Sequence, residues 1–163
     1  MHKQLLFTDG SVHVQSQVGY GAYLVVPEPD LSLSELKPMV KVRRFEQTSS
    51  TKLELQTLLW ALSDVELTAH KLIVYTDSQN LIGLPGRRER LEQKGYRSNK
   101  NTLLNNYELY QEFYSIIDQL DCKLVKVRGH QAADQKDNMD RLFTLVDKAA
   151  RKALRGEGEQ RDH

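Results

Sequence analysis

FTDGS, residues 7–11, and IVYTDS, residues 73–78, each carry an apolar, β-branched or aromatic run into Thr-Asp and then into a small turn residue. Each reads as a buried strand that stops at an aspartate. Asp beside Gly or Ser is also ordinary turn chemistry, so neither stretch alone implies a function. The pair becomes informative if the two strands lie parallel in one sheet, because Asp9 and Asp77 then finish near the same edge.

The segments around them support that arrangement. Lys3 to Thr8 is the first strand, and Gly19 to Val26, rich in Tyr and Val, the second. Pro27 and Pro29 punctuate the connection that follows. Met39 to Phe45 alternates in the manner of a third strand with one wet face, and the three could form an antiparallel meander. Leu55, Leu58, Leu59, Leu62 and Val65 then recur at helical spacing, with Ser49, Ser50 or Thr51 as N-cap and Glu54 in the first turn. Leu72 to Tyr75 is a fourth strand. Leu103, Tyr107, Tyr110, Tyr114 and Ile117 predict a second long helix, and Leu124 to Val127 a fifth strand running into Arg128-Gly129-His130. A closing helix carries Leu142, Phe143, Val146, Ala149, Ala150, Ala153 and Leu154.

The order β-β-β-α-β-α-β-α places helical crossovers around the fourth strand, and such crossovers make strands parallel. This is an α/β chain, and open α/β sheets place their sites at the carboxyl ends of their strands. Asp77 and His130 fall there, and Asp9 joins them if strand one is parallel to strand four.

Composition narrows the class further. At 163 residues the chain fits one domain, with the GEGEQRDH segment, 156–163, expected as a disordered tail after a domain spanning 1–155. Cys122 is the only cysteine, so an internal disulfide or a thiolate metal cluster is excluded. A reducing, cytoplasmic compartment is the natural expectation. The N-terminal apolar run is too short for a signal peptide, and no segment reads as a membrane span. The formal charge is +1, so any polyanion must be met by a local basic patch.

Taken in order, TDGS with Asp9, KLEL with Glu54, TDS with Asp77, VRGH with His130 and the closing VDKAARKA helix resemble type 1 ribonuclease H, the bacterial-type ribonuclease HI family, over about residues 3–155. The resemblance implies a ribonuclease H-like fold: a five-stranded mixed sheet, three antiparallel strands then two parallel, flanked by helices. It also implies an endonuclease that cuts the RNA strand of an RNA/DNA hybrid with two Mg²⁺ ions, Mn²⁺ being a possible substitute, and leaves 5′-phosphate and 3′-hydroxyl ends. Crowded carboxylates repel one another unless cations neutralise them, and Mg²⁺ is a hard ion that prefers oxygen ligands. On this reading Asp9, Glu54, Asp77 and one further acid hold the metals, and His130 is auxiliary. Glu54 alone could equally be a first-turn acid complementing the helix dipole, and Asp77 a cap shared with Ser78.

The fourth acid has two candidates. The family's spacing from its loop histidine points to Asp140, whereas the apolar-Asp-x-x-Ala pattern of VDKAAR favours Asp147 and implies a longer loop over Gln131 to Asp137. The two lie two helical turns apart, about 10 Å along the axis, so only one is expected to reach the metals; Asp147 is the preferred fourth ligand and Asp140 the alternative. Asp134 and Asp137 read as solvated loop charges.

Gly86 to Lys100, GRRERLEQKGYRSNK, holds six basic residues against two acidic ones. Such a run suits phosphate contact, although a solvated charged helix has the same composition. By resemblance it corresponds to the family's basic protrusion, which implies substrate contacts from Arg87, Arg88, Lys94, Tyr96 and Arg97, with Asn106 and Tyr110 nearby. Ser50, Thr51 and Lys52 lie where family members meet the backbone close to the cleavage site. One departure is local: SVHVQSQV, 11–18, replaces the family's Gly- and Pro-rich turn, which helps read the ribose 2′-hydroxyl. His13 there reads as a surface turn residue. The partner expected is an RNA/DNA hybrid, with no membrane, no obligate protein partner and a monomeric state. The rival readings are a non-catalytic nucleic-acid-binding module on the same fold and a DNA-cutting nuclease of the same superfamily.

Overall fold

The computed structural model describes residues 3–26, 32–64, 71–127 and 138–161. Five strands form one mixed sheet: β1 (Lys3–His13), β2 (Val18–Val26), β3 (Lys41–Phe45), β4 (Lys71–Thr76) and β5 (Cys122–Lys126). Their spatial order is β3-β2-β1-β4-β5, with β1–β2 and β2–β3 antiparallel and β1–β4 and β4–β5 parallel. The expected fold class is therefore the observed one.

The helices are α1 (Leu33–Leu36), α2 (Ser50–Asp64), α3 (Gln79–Gln93), α4 (Tyr107–Ile117) and α5 (Asn138–Arg161). Strand β1 is buried on both faces, and its alternation divides the core. Leu6 joins Leu55, Leu58, Val74, Leu81, Leu84, Phe113 and Tyr114 under α2, α3 and α4, whereas Phe7 joins Ala22, Leu24, Leu36, Phe143, Val146 and Ala150 under α1 and α5. Among the described residues no helix is long and apolar enough to cross a membrane.

Four elements differ from the sequence reading. The basic segment is mostly helix: α3 begins directly after Asp77, capped by the Ser78 hydroxyl, and contains Pro85. An interior proline removes a backbone donor and normally breaks a helix. Here the buried Tyr114 hydroxyl donates to the carbonyl of Leu84, at 2.7 Å, and Leu81 and Leu84 are buried, so packing overrides the breaker. Leu103 does not start α4; it is exposed and bridges Arg97, and the helix begins at Tyr107. Met39 lies in a 3₁₀ turn, Lys37–Met39, because Pro38 favours a helical start over a strand. Finally, α5 continues through the segment read as a tail as far as Arg161. Glu157 in that extension accepts from Tyr20 and from the Arg44 guanidinium (Nη2 to Oε1, 2.8 Å), which ties the helix across β2 and β3.

The close approach of α2 to the sheet is what carries Glu54 to the sheet's edge. A Cβ on Gly21 would sit 2.1 Å from the Thr57 hydroxyl oxygen, and one on Gly10 2.9 Å from Leu53 Cδ2. Only hydrogen fits between these strands and the helix. Ser49 caps α2, its hydroxyl accepting from the Lys52 N–H at 3.2 Å.

Candidate active site

The parallel register of β1 and β4 pairs Phe7 with Tyr75, and the two rings stack at 4.8 Å. Two residues further along each chain stand Asp9 and Asp77, so the two Thr-Asp endings converge. Asp9 lies on the face covered by α5, and the α5 carboxylate that meets it is that of Asp147. Asp147 also pairs with Arg151, one turn on, at 3.0 Å. Asp140 is buried near the start of α5 and is not among the principal groups that act on Asp9. Glu54 arrives from the opposite face on α2 and meets Ser78 and Asp77.

The electrostatics follow from this crowding. Burial, then the charge of Asp77, then a hydrogen bond to Asp147 push the Asp9 carboxyl up from 3.8 to about 9, against a smaller opposing contribution from the Gly10 N–H. At neutral pH Asp9 therefore holds a proton, which it donates to Asp147. Glu54 is raised by burial and by Asp77, while the Ser78 hydroxyl draws it back down. Among the described residues, none of the principal groups acting on either acid is a Lys or Arg side chain.

The acids meet in pairs, and among the described residues no three His, Cys, Asp or Glu side chains already close on one ion position. The donor set nonetheless suits a hard divalent ion: it is all oxygen and half-buried, and Arg151 on Asp147 is the one counter-charge shown against it among the described residues. A cation between them would release the Asp9 proton and relieve the repulsion.

The expected substrate contacts divide into two groups. Ser50 and Thr51 are exposed on the first turn of α2 beside Glu54, and Lys52 donates to the Gln47 carbonyl. Lys94 and Arg97 are exposed after α3, held by Asn99 and by the Asn101 carbonyl. Asn106 precedes α4 with its side chain making no cap bond, and Tyr110 packs partly against the core one turn later.

Others are differently engaged. Arg88 is held by Glu92 and Asp118 and lies over the Tyr114 ring, so it fastens α3 to α4. Arg87 turns back to the Asn80 carbonyl and side chain at 2.8 and 2.7 Å. Tyr96 was expected at the substrate surface but is buried in the core at 8% exposure, because its left-handed backbone (φ 58°) folds the ring inward. Arg90 and Lys100, which the sequence did not single out, are exposed cations of the same segment. His130, with Arg128, Gly129, Asp134 and Asp137, lies outside the described residues. His13 ends β1 beside the four-residue turn 14–17, exposed as expected.

Ser78 was read only as a cap. Its hydroxyl accepts from the Leu81 N–H at 3.1 Å and also donates to Glu54 Oε2 at 2.6 Å. Nothing in the local sequence names Glu54 as its partner.

Residues 1–155 match the family model described as RNase H. The chain belongs to the RNase H family. Two proteins called Ribonuclease H, from Photorhabdus luminescens and Photorhabdus laumondii subsp. laumondii, are each 26% identical to it over 165 aligned positions, covering 99% of this chain and 100% of theirs. Among solved structures, a foamy viral protease-reverse transcriptase in complex with dsDNA is similar over 91% of this chain and 94% of that one, with a TM-score of 0.67 at 12% identity. That likeness speaks for the fold alone. By family the chain is a ribonuclease H, a nucleic-acid hydrolase, and RNase H enzymes generally work with divalent metal ions.

Proposed function

We propose that the chain is an endonuclease hydrolysing the RNA strand of RNA/DNA hybrids by two-metal-ion catalysis, leaving 5′-phosphate and 3′-hydroxyl ends. The observation that carries this reading is the meeting of Asp9, Glu54, Asp77 and Asp147 from two strand ends and two helices, with no basic group of the described residues among those that principally act on Asp9 or on Glu54. Divalent ions held there would lower the pKa of the attacking water and stabilise the departing 3′ oxygen.

The chain's own groups do the rest. Asp9, as a carboxylate, and Asp77 would hold the ions, and Glu54 and Asp147 would complete the acidic set from either side of the sheet. Asp147, rather than Asp140, is the fourth acid because it is the one in contact with Asp9. Ser50, Thr51 and Lys52 receive the backbone beside the scissile phosphate. Arg90, Lys94, Arg97 and Lys100 bind phosphates further along through charge. His130 assists by moving or orienting water. The extended β1–β2 hairpin stands where the family's 2′-hydroxyl-reading turn would be.

The test is cleavage of a labelled RNA/DNA hybrid, beside duplex DNA, with Mg²⁺, with chelator, and by Asp77→Asn. Metal-dependent cutting of the RNA strand alone, abolished by the substitution, is expected. Hybrid binding without cutting in Mg²⁺ or Mn²⁺ would make the chain a binding module, and cutting of duplex DNA would make it a DNA nuclease.

A further inference from the structure

We propose that Ser78 is a positioning residue that sets Glu54 against Asp77 for metal binding, beyond its service as a helix cap. The inference rests on the proposed reading of this acidic cluster as a divalent-metal site.

A cap needs only a lone pair. The Ser78 oxygen supplies it to the Leu81 N–H at 3.1 Å, which leaves the hydroxyl proton of Ser78 unused by α3. The proton goes to Glu54 Oε2 at 2.6 Å, from a side chain 24 residues distant and on another helix. Ser78 is 5% exposed, so water offers the proton little alternative, and an unmade bond there would be costly.

The backbone of Ser78 is held as well. Its N–H donates to the Thr76 hydroxyl at 3.1 Å, closing a tight turn around Asp77, and Thr76 is 2% exposed. One residue therefore fixes the main chain of Asp77 and the side chain of Glu54. With Oε2 fixed by the hydroxyl the Glu54 carboxylate is held in one orientation, and its remaining lone pairs can serve a cation. The bond also holds Glu54 beside Asp77 although two carboxylates repel each other. Ser78 makes no contact with substrate in this account; it acts through Glu54.

The experiment measures metal affinity without substrate, as the midpoint of thermal stabilisation in a Mg²⁺ titration, on wild type, Ser78→Gly, Ser78→Thr and Ser32→Ala. Glycine replaces an N-cap serine at a cost of only a few tenths of a kcal/mol, so Ser78→Gly removes the hydroxyl and keeps the fold. Ser32→Ala removes the capping box of α1, which has no Glu54 partner, and serves as the cap-loss control. We expect Ser78→Gly to raise the Mg²⁺ midpoint roughly tenfold or more, the lower end of what one hydrogen bond to a charged group contributes. Ser78→Thr restores the wild-type midpoint and Ser32→Ala leaves it unchanged. In steady-state cleavage the Gly variant loses kcat while its KM for hybrid stays within twofold.

A Ser78→Gly midpoint within twofold of wild type would reduce Ser78 to a cap and overturn the proposal. So would a shifted midpoint that Ser78→Thr fails to restore. Wild type showing neither Mg²⁺ stabilisation nor cleavage would instead remove the metal-site reading itself, and this inference with it.

Discussion

Replacing Asp9 by asparagine should make the metal-free protein more stable, because folding forces this carboxyl to keep a proton it would otherwise release. The unfolded group titrates near 3.8 and the folded one near 9. Below pH 4 both states hold the proton and the folded state bears no cost. Between about pH 4 and 9 the unfolded chain has released it and the folded chain has not, so the folded state loses about 1.4 kcal/mol per pH unit. At pH 7 this comes to about 4 kcal/mol, an upper bound because relaxation and water entry soften burial costs. Asparagine keeps the size and a donor toward Asp147 without that linkage. Urea or thermal unfolding in chelator at pH 7 should show Asp9→Asn stabilised by roughly 2–4 kcal/mol, or roughly 5–15 °C in Tm for a chain of this size. The difference should shrink as the pH falls toward 4. Adding Mg²⁺ should raise wild type toward the variant, since a cation removes the same repulsion. A pH-independent difference, or a variant less stable than wild type at pH 7 and above, would refute the reasoning.

Four further outcomes follow from the same geometry. Asp147→Asn should lower kcat on hybrid by at least about a hundredfold, the scale of lost preorganised electrostatic stabilisation; Asp140→Asn should instead leave kcat within a few-fold and lower Tm, because that side chain is buried. Gly21→Ala places a Cβ against the Thr57 hydroxyl and should destabilise by about 1–3 kcal/mol in urea unfolding, with only part of the loss recovered in the double variant Gly21→Ala, Thr57→Ala, because the Cβ of residue 57, 2.9 Å away, remains. Glu157→Gln, which weakens the pairing with Arg44 and Tyr20, should lower Tm by a few degrees, and by less in high salt. Replacing Arg90 and Lys100 by alanine should weaken hybrid binding uniformly across sequences and reduce the slope of log affinity against log salt by about one per lost phosphate contact.

Much of the fold could be read from the chain because its strands and α2 and α5 announce themselves by period. Leu6 and Phe7 face opposite layers, as a central strand requires, and the Leu55 to Leu62 spacing marks a helix face that is indeed buried. Where reading failed, local signals disagreed with the environment. The element order read from the sequence has no helix directly after Asp77, and α3 forms there despite Pro85 because Leu81, Leu84 and Tyr114 hold it. Tyr96 in a basic run looks like a surface aromatic, and a left-handed backbone turns it into the core. The stretch 156–161 looks like a tail, and its helix is anchored by the distant Arg44 and Tyr20.

The sequence by itself determined that two apolar strands end in Thr-Asp, that helices connect the parallel ones, and that one segment concentrates positive charge, because periodicity and composition are properties of the chain. Which acids meet was left to the tertiary structure. The sequence favours Asp147 over Asp140 by its local pattern without excluding either, and only the packing of α5 against β1 brings Asp147 to Asp9. The Ser78 proton likewise finds Glu54 only once Gly10 and Gly21 let α2 settle onto the sheet. Side-chain contacts a few Å long depend on how whole elements pack, and that is set by all their residues together.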